Sequence, residues 1–280
     1  MKDIHVNQII SSVSEMVKKA NYDLGEDVEK ALQRSLENEK SEIGKSIINQ
    51  LLTNEQIARD EEVPMCQDTG FAVFIIELGQ EVHIVGGNLN EAINEGVRRG
   101  YEEGYLRKSI VDHPFIRKNT GDNTPAIIHI EMVDGDNLKI KMAAKGGGSE
   151  NMSFISMLKP SDGVEGAKKF IIDCVRTAGA NPCPPTIVGV GIGGTFEKAA
   201  YLAKKSLFRV IGNRNEHKDI ALLEEELLVS INNLGIGPQG FGGSTTALDV
   251  HIEIYPTHIA TLPVAVNLNC HASRHKEVIL

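Results

Sequence analysis

The sequence contains no run of ~18 to 20 uninterrupted apolar residues, so no membrane-spanning helix is expected. Its opening stretch, MKDIHVNQIISSVSEMVKKANYD, lacks the continuous apolar core of a secretory signal. A cytoplasmic location is the expectation that follows. Positive charge is also short: 29 Lys and Arg face 38 Asp and Glu, a net charge of −9. That balance argues against nucleic-acid binding, which needs a clustered basic surface. It leaves room for an anionic small molecule held by a few local arginines. Closely spaced cysteine pairs are missing as well. The four cysteines lie far apart, unlike the ligand pairs of zinc ribbons or ferredoxins, and disulfides are not expected of a cytoplasmic chain.

What is present is an ordinary globular composition, 41% hydrophobic and 24% charged over 280 residues, with no internal repeat, low-complexity tract or linker. The first sixty residues read as helices. Ile4, Ile9, Ile10, Val13, Met16 and Val17 fall close to one helical face, and further helical patterns cover Glu26–Asn38 and Ser41–Asp60. From Phe71 the character changes. FAVFIIEL and Val82–Val85 read as strands, and Asn88–Arg107 as a helix. Asp112–Pro125 reads as a loop. Strands Ala126–Val133 and Leu138–Ala144 flank Asp134-Gly135-Asp136-Asn137, a hairpin signal. Helices are expected at Asp162–Ala178, Thr195–Lys205 and Glu216–Asn233, and strands at Thr186–Gly191, Thr246–Tyr255 and Ala260–Leu268. The expected fold is mixed α/β: a helical N-terminal segment, 1–62, followed by an α/β domain with a mixed sheet, 63–280.

Three cysteines stand apart from the fourth. Cys66 lies in PMCQDTG, Cys183 in NPCPP and Cys270 in NLNCHASR, each at a strand edge or in a proline- or glycine-flanked loop from which a thiolate can reach outward. Cys174, inside FIIDCVRTAG, reads as a buried helix residue. The spacings of 117 and 87 residues carry little metal signal by themselves, so unrelated thiols remain the alternative at this point. Gly189-x-Gly191-x-x-Gly194, between a strand and a helix, has the form of a dinucleotide fingerprint. The acidic residue expected ~20 positions on is missing, and the glycines read instead as close strand–helix packing.

Taken together, CQDTG, NTGDNTPA, AAKGGGSEN, NPCPP, YPTHIATLPVAVNLNC and HASR resemble the α half of class I fumarases and L-tartrate dehydratases, in that family's order and over nearly the whole chain. The resemblance implies a [4Fe–4S] cluster held by Cys66, Cys183 and Cys270, with a fourth iron left open to substrate. Hydration of a C4 dicarboxylate needs a Lewis acid for the poor hydroxyl leaving group, a base, and partners for two carboxylates. Three ligands suit that task, whereas four would suit electron transfer. The resemblance further implies that Gln67 and Asp68 contact substrate, Asp68 taking part in proton movement at the hydroxyl. Asp68 and Thr69 capping a loop is the competing reading. His258, twelve residues before Cys270, is implied to be in the active site. Arg107 is the candidate for gripping a carboxylate, with Arg117 as the alternative. Gly147 and Gly148, in a run of three glycines, are read as carboxylate or cluster neighbours. His271 and Arg274 are placed to tune the cluster or meet a partner, and the HKEVIL tail reads as surface.

In the resembling enzymes a second half supplies further arginine, lysine and threonine groups, including the proton-abstracting base. With this sequence ending ten residues after Cys270, a separate β subunit is expected, arranged as α2β2. Reversible hydration of fumarate to L-malate is the first expectation, on metabolic generality alone; L-tartrate is the second and mesaconate a third. A non-catalytic iron–sulfur sensor and a metal-free structural chain are the competing classes.

Overall fold

The computed structural model describes residues 2–280. In chain order the elements are β1 (Lys2–His5), α1 (Val6–Tyr22), α2 (Glu26–Asn38), α3 (Glu42–Glu61), β2 (Phe71–Gly79), β3 (Val82–Val85), α4 (Leu89–Glu103), β4 (Ile127–Val133) and β5 (Leu138–Lys145). They continue with the single turn α5 (Gly147–Glu150), β6 (Phe154–Leu158), α6 (Gly163–Ala178), β7 (Thr186–Gly193), α7 (Phe196–Ser206), α8 (Lys218–Asn232), β8 (Ala247–Tyr255), β9 (Leu262–Asn269) and β10 (His275–Ile279). The class is mixed α/β, as the sequence implies. Among the described residues, no helix is long and apolar enough to cross a membrane. Two compact units divide the chain: one takes in residues 2–25, Asn54–Gly147 and Arg274–Leu280, the other Glu26–Thr53 and Gly148–Ser273. The helices of the first sixty residues are thus distributed over both, α1 in the first unit and α2 in the second.

In the first unit a four-stranded sheet has the order β10-β5-β2-β4. Ile9, Val13 and Val17 of α1 and Ile93, Val97 and Tyr101 of α4 recur at helical spacing and pack with Phe74, Ile76, Ile140 and Met142 of the sheet. Asn88 Oδ1 caps α4 by accepting the N–H groups of Asn90 and Glu91. Gly104 ends that helix, so Arg107 lies in the loop beyond it rather than on the helix. Asp134–Asn137 does not close a hairpin. β2 lies between β4 and β5, parallel to the former and antiparallel to the latter. The end of β2 tucks beneath the connection: Gly79 N–H donates to Asn137 O at 2.9 Å and Gln80 N–H to Val133 O at 2.9 Å. A Cβ on Gly79 would stand 2.4 Å from Gly135 O, so only glycine fits there. The tail expected as surface is instead strand β10, antiparallel to β5. β1, also unexpected, pairs parallel to β3.

In the second unit the sheet order is β6-β9-β7-β8, with β7 parallel to β8 and antiparallel to β9. Val188, Val190, Val250, Ile252, Val264, Val266 and Leu268 form one apolar face, packed with Ile171 and Val175 of α6 and Leu223, Leu227 and Ile231 of α8. On α7, Ala199 and Ala203 pack with Ala265 of β9. Added Cβ atoms on Gly189 and Gly191 would stand 2.4 Å from Ala203 O and 2.1 Å from Ala199 O, so the fingerprint-like glycines serve helix–strand contact. A charged network pins the segment before α8. Arg209 Nη1 donates to the fully buried Glu224 at 2.7 Å, and Arg214 Nη1 to the fully buried Asp249 at 2.7 Å.

Between α2 and α3, Glu39 is 2% exposed. Its carboxylate accepts the N–H groups of Lys40 (2.8 Å), Ser41 (2.9 Å), Ser244 (2.8 Å) and Thr245 (2.9 Å) and the Ser244 hydroxyl (3.0 Å). Burial alone would raise its pKa; the donors from Ser244, Ser41 and Thr245 outweigh burial and bring it down to about 2. A depressed carboxylate contributes stability above its unfolded pKa, and that contribution is lost as pH falls through the folded value. Glu39→Gln is therefore expected to cost about 3 kcal/mol at neutral pH. Urea unfolding at successive pH values should show the gap to wild type closing between pH 4.5 and about 2. A gap independent of pH would contradict this account.

Candidate active site

The loop between α3 and β2 carries Cys66, Gln67 and Asp68, with Cys66 half-buried and Gln67 exposed. Cys66 Sγ lies 3.4 Å from Gln67 Oε1. Asp68 is clamped through both oxygens: Oδ1 accepts Gly70 N–H at 3.0 Å and Oδ2 accepts Gly147 N–H at 2.7 Å. The first bond is the loop-capping turn, and the second ties the carboxylate to the glycine run, so one side chain does both. Beneath this loop sits Arg274, 2% exposed, whose Nη1 donates to Asp68 O at 2.6 Å and to Asn21 Oδ1 at 3.0 Å. Its Nε has no hydrogen-bond partner among the described residues. The buried hydroxyl of Tyr101 donates to Thr69 O and Gly70 O at 2.7 and 2.9 Å, and burial raises its pKa. Thr69 Oγ1 donates to Arg107 O at 2.6 Å, so the segment carrying Arg107 is bonded to the segment carrying Cys66. The Arg107 side chain itself is exposed. Arg117, in contrast, turns back on its own loop, with Nη1 3.4 Å from Pro114 O and φ at 59°.

In the second unit, Cys183 precedes β7 and Cys270 follows β9. The antiparallel register pairs Ile187 with Asn269, which brings both cysteines to the same end of the sheet. The two loops are bonded directly: His271 N–H donates to Cys183 O at 3.3 Å. A third loop completes the group. Gln239, which the sequence reading passed over inside GIGPQGFGGS, donates to Pro184 O through its backbone N–H at 2.7 Å and its Nε2 at 2.8 Å. The same Nε2 lies 3.1 Å from His271 Nδ1. His271 Nδ1 also lies 3.1 Å from Cys183 O, so the ring stands between the Gln239 amide and the Cys183 loop.

His258 is not part of this group. It is exposed in the turn between β8 and β9, its Nδ1 accepting Ala260 N–H at 3.2 Å. The eight residues of β9 separate that turn from Cys270, a rise of roughly 25 Å at ~3.3 Å per residue. Gly148 follows Gly147 in the single turn α5 and is exposed. Glu150, in the same turn, pairs with Lys204 and accepts Asn267 Nδ2 at 3.0 Å. Burial lowers the Lys204 pKa against the pull of Glu150. Nothing in the spacing of Glu150, Lys204 and Asn267 signals this cluster, since the three come from α5, α7 and β9.

The cysteines separate by environment. Cys174 is buried in α6, where burial pushes its thiol up to about 12, unfit to be a thiolate ligand. Cys183 is exposed, and Cys66 and Cys270 are half-buried. Among the described residues no three His, Cys, Asp or Glu side chains are grouped to hold a single ion. Three loop thiols remain, Cys66 in the first unit and Cys183 and Cys270 in the second, and cysteine thiolates are the donors that iron–sulfur clusters take.

Comparison with known proteins gives this arrangement its context. A family model described as Fumarate hydratase (Fumerase) matches residues 10–279. The chain belongs to the fumarate hydratase family. Within this family it is 45% identical over 274 residues to a Methanocaldococcus jannaschii protein provisionally named L(+)-tartrate dehydratase subunit alpha, the alignment covering 95% of each chain. It is 34% identical over 278 residues to the L(+)-tartrate dehydratase subunit alpha of Escherichia coli and to that of Shigella sonnei, in each case covering 98% of this chain and 91% of the relative.

The sorting of thiols is directly measurable. With a pKa of about 12, roughly one Cys174 in ten thousand is thiolate at pH 8. In the cluster-free folded chain a chromogenic disulfide reagent should titrate three thiols quickly and the fourth at least ~100-fold more slowly, until denaturant is added. Four equal rates would contradict the assignment.

Proposed function

We propose that the chain is the α subunit of an iron–sulfur hydro-lyase acting on a C4 dicarboxylate, with L(+)-tartrate ranked ahead of malate and fumarate. The observation that carries the reading is the division of its cysteines into one buried thiol and three loop thiols, two of them bonded loop to loop. The ranking of substrates reverses the preference drawn from metabolic generality, because the relatives named above are called tartrate dehydratase subunits. Their designation as subunit alpha supports a separate β subunit, with α2β2 as the proposed assembly.

In this reading Cys66, Cys183 and Cys270 hold a [4Fe–4S] cluster. When bound, it supplies a Lewis acid that polarises the substrate hydroxyl. The other roles fall to residues of this chain. Asp68 has two of its carboxylate lone-pair positions filled by Gly70 and Gly147, and its carboxylate is the acceptor proposed for a hydroxyl proton. The fixed N–H donors hold it in place, so the acceptor needs no reorganisation when substrate arrives. The exposed Arg107 guanidinium suits a carboxylate through two parallel hydrogen bonds. The Gln67 amide supplies a neutral donor and acceptor beside Cys66; the Gly147 N–H is taken by Asp68, and the exposed Gly148 is the glycine left as a carboxylate neighbour. No step is assigned to His258, given its place at the far end of β9.

The test is an anaerobic electron paramagnetic resonance spectrum of the reduced, cluster-reconstituted chain together with its β subunit, with and without tartrate, malate and fumarate. The expected result is a cluster signal that changes on adding tartrate, changes less with malate, and is absent in Cys66→Ser. A signal indifferent to all three acids would sink substrate ligation. A Cys66→Ser signal identical to wild type would sink the ligand assignment.

A further inference from the structure

We infer that Gln239 is a positioning residue that clamps the Cys183 loop to the Cys270 loop and so sets the relation between those two thiols. This rests on the reading that both serve one iron–sulfur group. Three observations within the second unit carry it.

The first is connectivity. The Gln239 side chain alone reaches the residue after Cys183, through Nε2 to Pro184 O at 2.8 Å, and the residue after Cys270, through Nε2 to His271 Nδ1 at 3.1 Å. An amide nitrogen has two hydrogens, one for Pro184 O and one for Nδ1 in the tautomer that leaves that ring atom unprotonated. The His271 backbone N–H (3.3 Å) and ring Nδ1 (3.1 Å) both meet Cys183 O, so these contacts converge on one carbonyl. Gln239 adds a tie at the next residue, Pro184, from a third loop.

The second is backbone cost. Gln239 has φ at 51°, a left-handed conformation that residues with a Cβ adopt only under strain. The same loop uses glycine at its other left-handed positions, including Gly235, Gly237, Gly240 and Gly242. A glutamine in such company keeps a strained position for the sake of its side chain.

The third is anchorage. A clamp works only from a fixed base, and the loop's far end is fixed by Glu39, which receives the N–H groups of Ser244 and Thr245 and the Ser244 hydroxyl. At the near end Gly237 N–H donates to Thr246 Oγ1 at 3.2 Å. The pair of backbone and side-chain bonds to Pro184 O leaves Gln239 little freedom to follow the cysteine loops if they drift. It holds them where they are.

The test compares wild type with Gln239→Gly and Gln239→Glu. Glycine suits the left-handed backbone and keeps the main-chain bond to Pro184, so folding is not at stake. Glutamate keeps the size but cannot donate. In the cluster-free chain, amide hydrogen exchange at His271 is expected to quicken ~10-fold in both variants, with the amides of β7 and β9 unchanged as an internal control. In the reconstituted chain, the half-life of cluster absorbance in air is expected to shorten ~10-fold or more. Unchanged exchange at His271 together with unchanged cluster lifetime would overturn the clamp. A wild-type chain that never takes up a cluster, while the variants still free the His271 amide, would leave the clamp standing and overturn the reading beneath it.

Discussion

The antiparallel pairing of β7 with β9 is the constraint from which the second unit's candidate site follows. Cys183 leads into one strand and Cys270 leaves the other, and a pairing of Ile187 with Asn269 puts both at one end of the sheet. A slip of the register by one residue would turn every side chain of β9 to the opposite face, taking Val264, Val266 and Leu268 out of the apolar core. The core therefore enforces the register, and the register places the thiols. The polar loops at that end refine a position that apolar packing has already chosen.

The same logic separates what the sequence discloses from what it conceals. Helical spacing exposed the buried stripe of α1, and an unbroken apolar run exposed β2, because both signals are local. Cys174 could be told from the other cysteines because its apolar neighbours on a helix imply burial. Strand partnership was not legible. The Asp134–Asn137 turn has hairpin chemistry, yet the strand that occupies the middle position arrives from fifty residues earlier, and only Gly79 hints at the close approach. β10 was read as surface because its five residues include three charged or polar side chains. A role for His258 rests on the resemblance of YPTHIATLPVAVNLNC alone; the structure puts the residue in the turn at the other end of β9 from Cys270. Gln239 gave no signal, since the value of its amide depends on carbonyl and imidazole groups from two other loops.

Buried charge is used in the two units for a shared purpose, to hold loops rather than to strengthen cores. Arg274 grips the carbonyl of Asp68, Glu39 gathers backbone N–H groups, and Glu224 and Asp249 pin the segment from Arg209 to Asn215. Each exchanges a desolvation cost for several charge-assisted bonds to backbone, which is the arrangement in which a buried ion is tolerated. Loops held this way retain their shape without a covering layer. That matters where side chains must stay open to a small anionic ligand.

The interleaving of the units along the chain bears on how the protein is made. Strand β10 and Arg274 belong to the first unit but follow the whole of the second in sequence, and α2 belongs to the second unit but precedes most of the first. During synthesis, the Asp68 loop therefore waits for its arginine until residue 274 has left the ribosome, and the edge of β5 stays unpaired until then. The first unit therefore cannot close until the second has been translated, and in the interval it carries an open strand edge of the kind that chaperones shield.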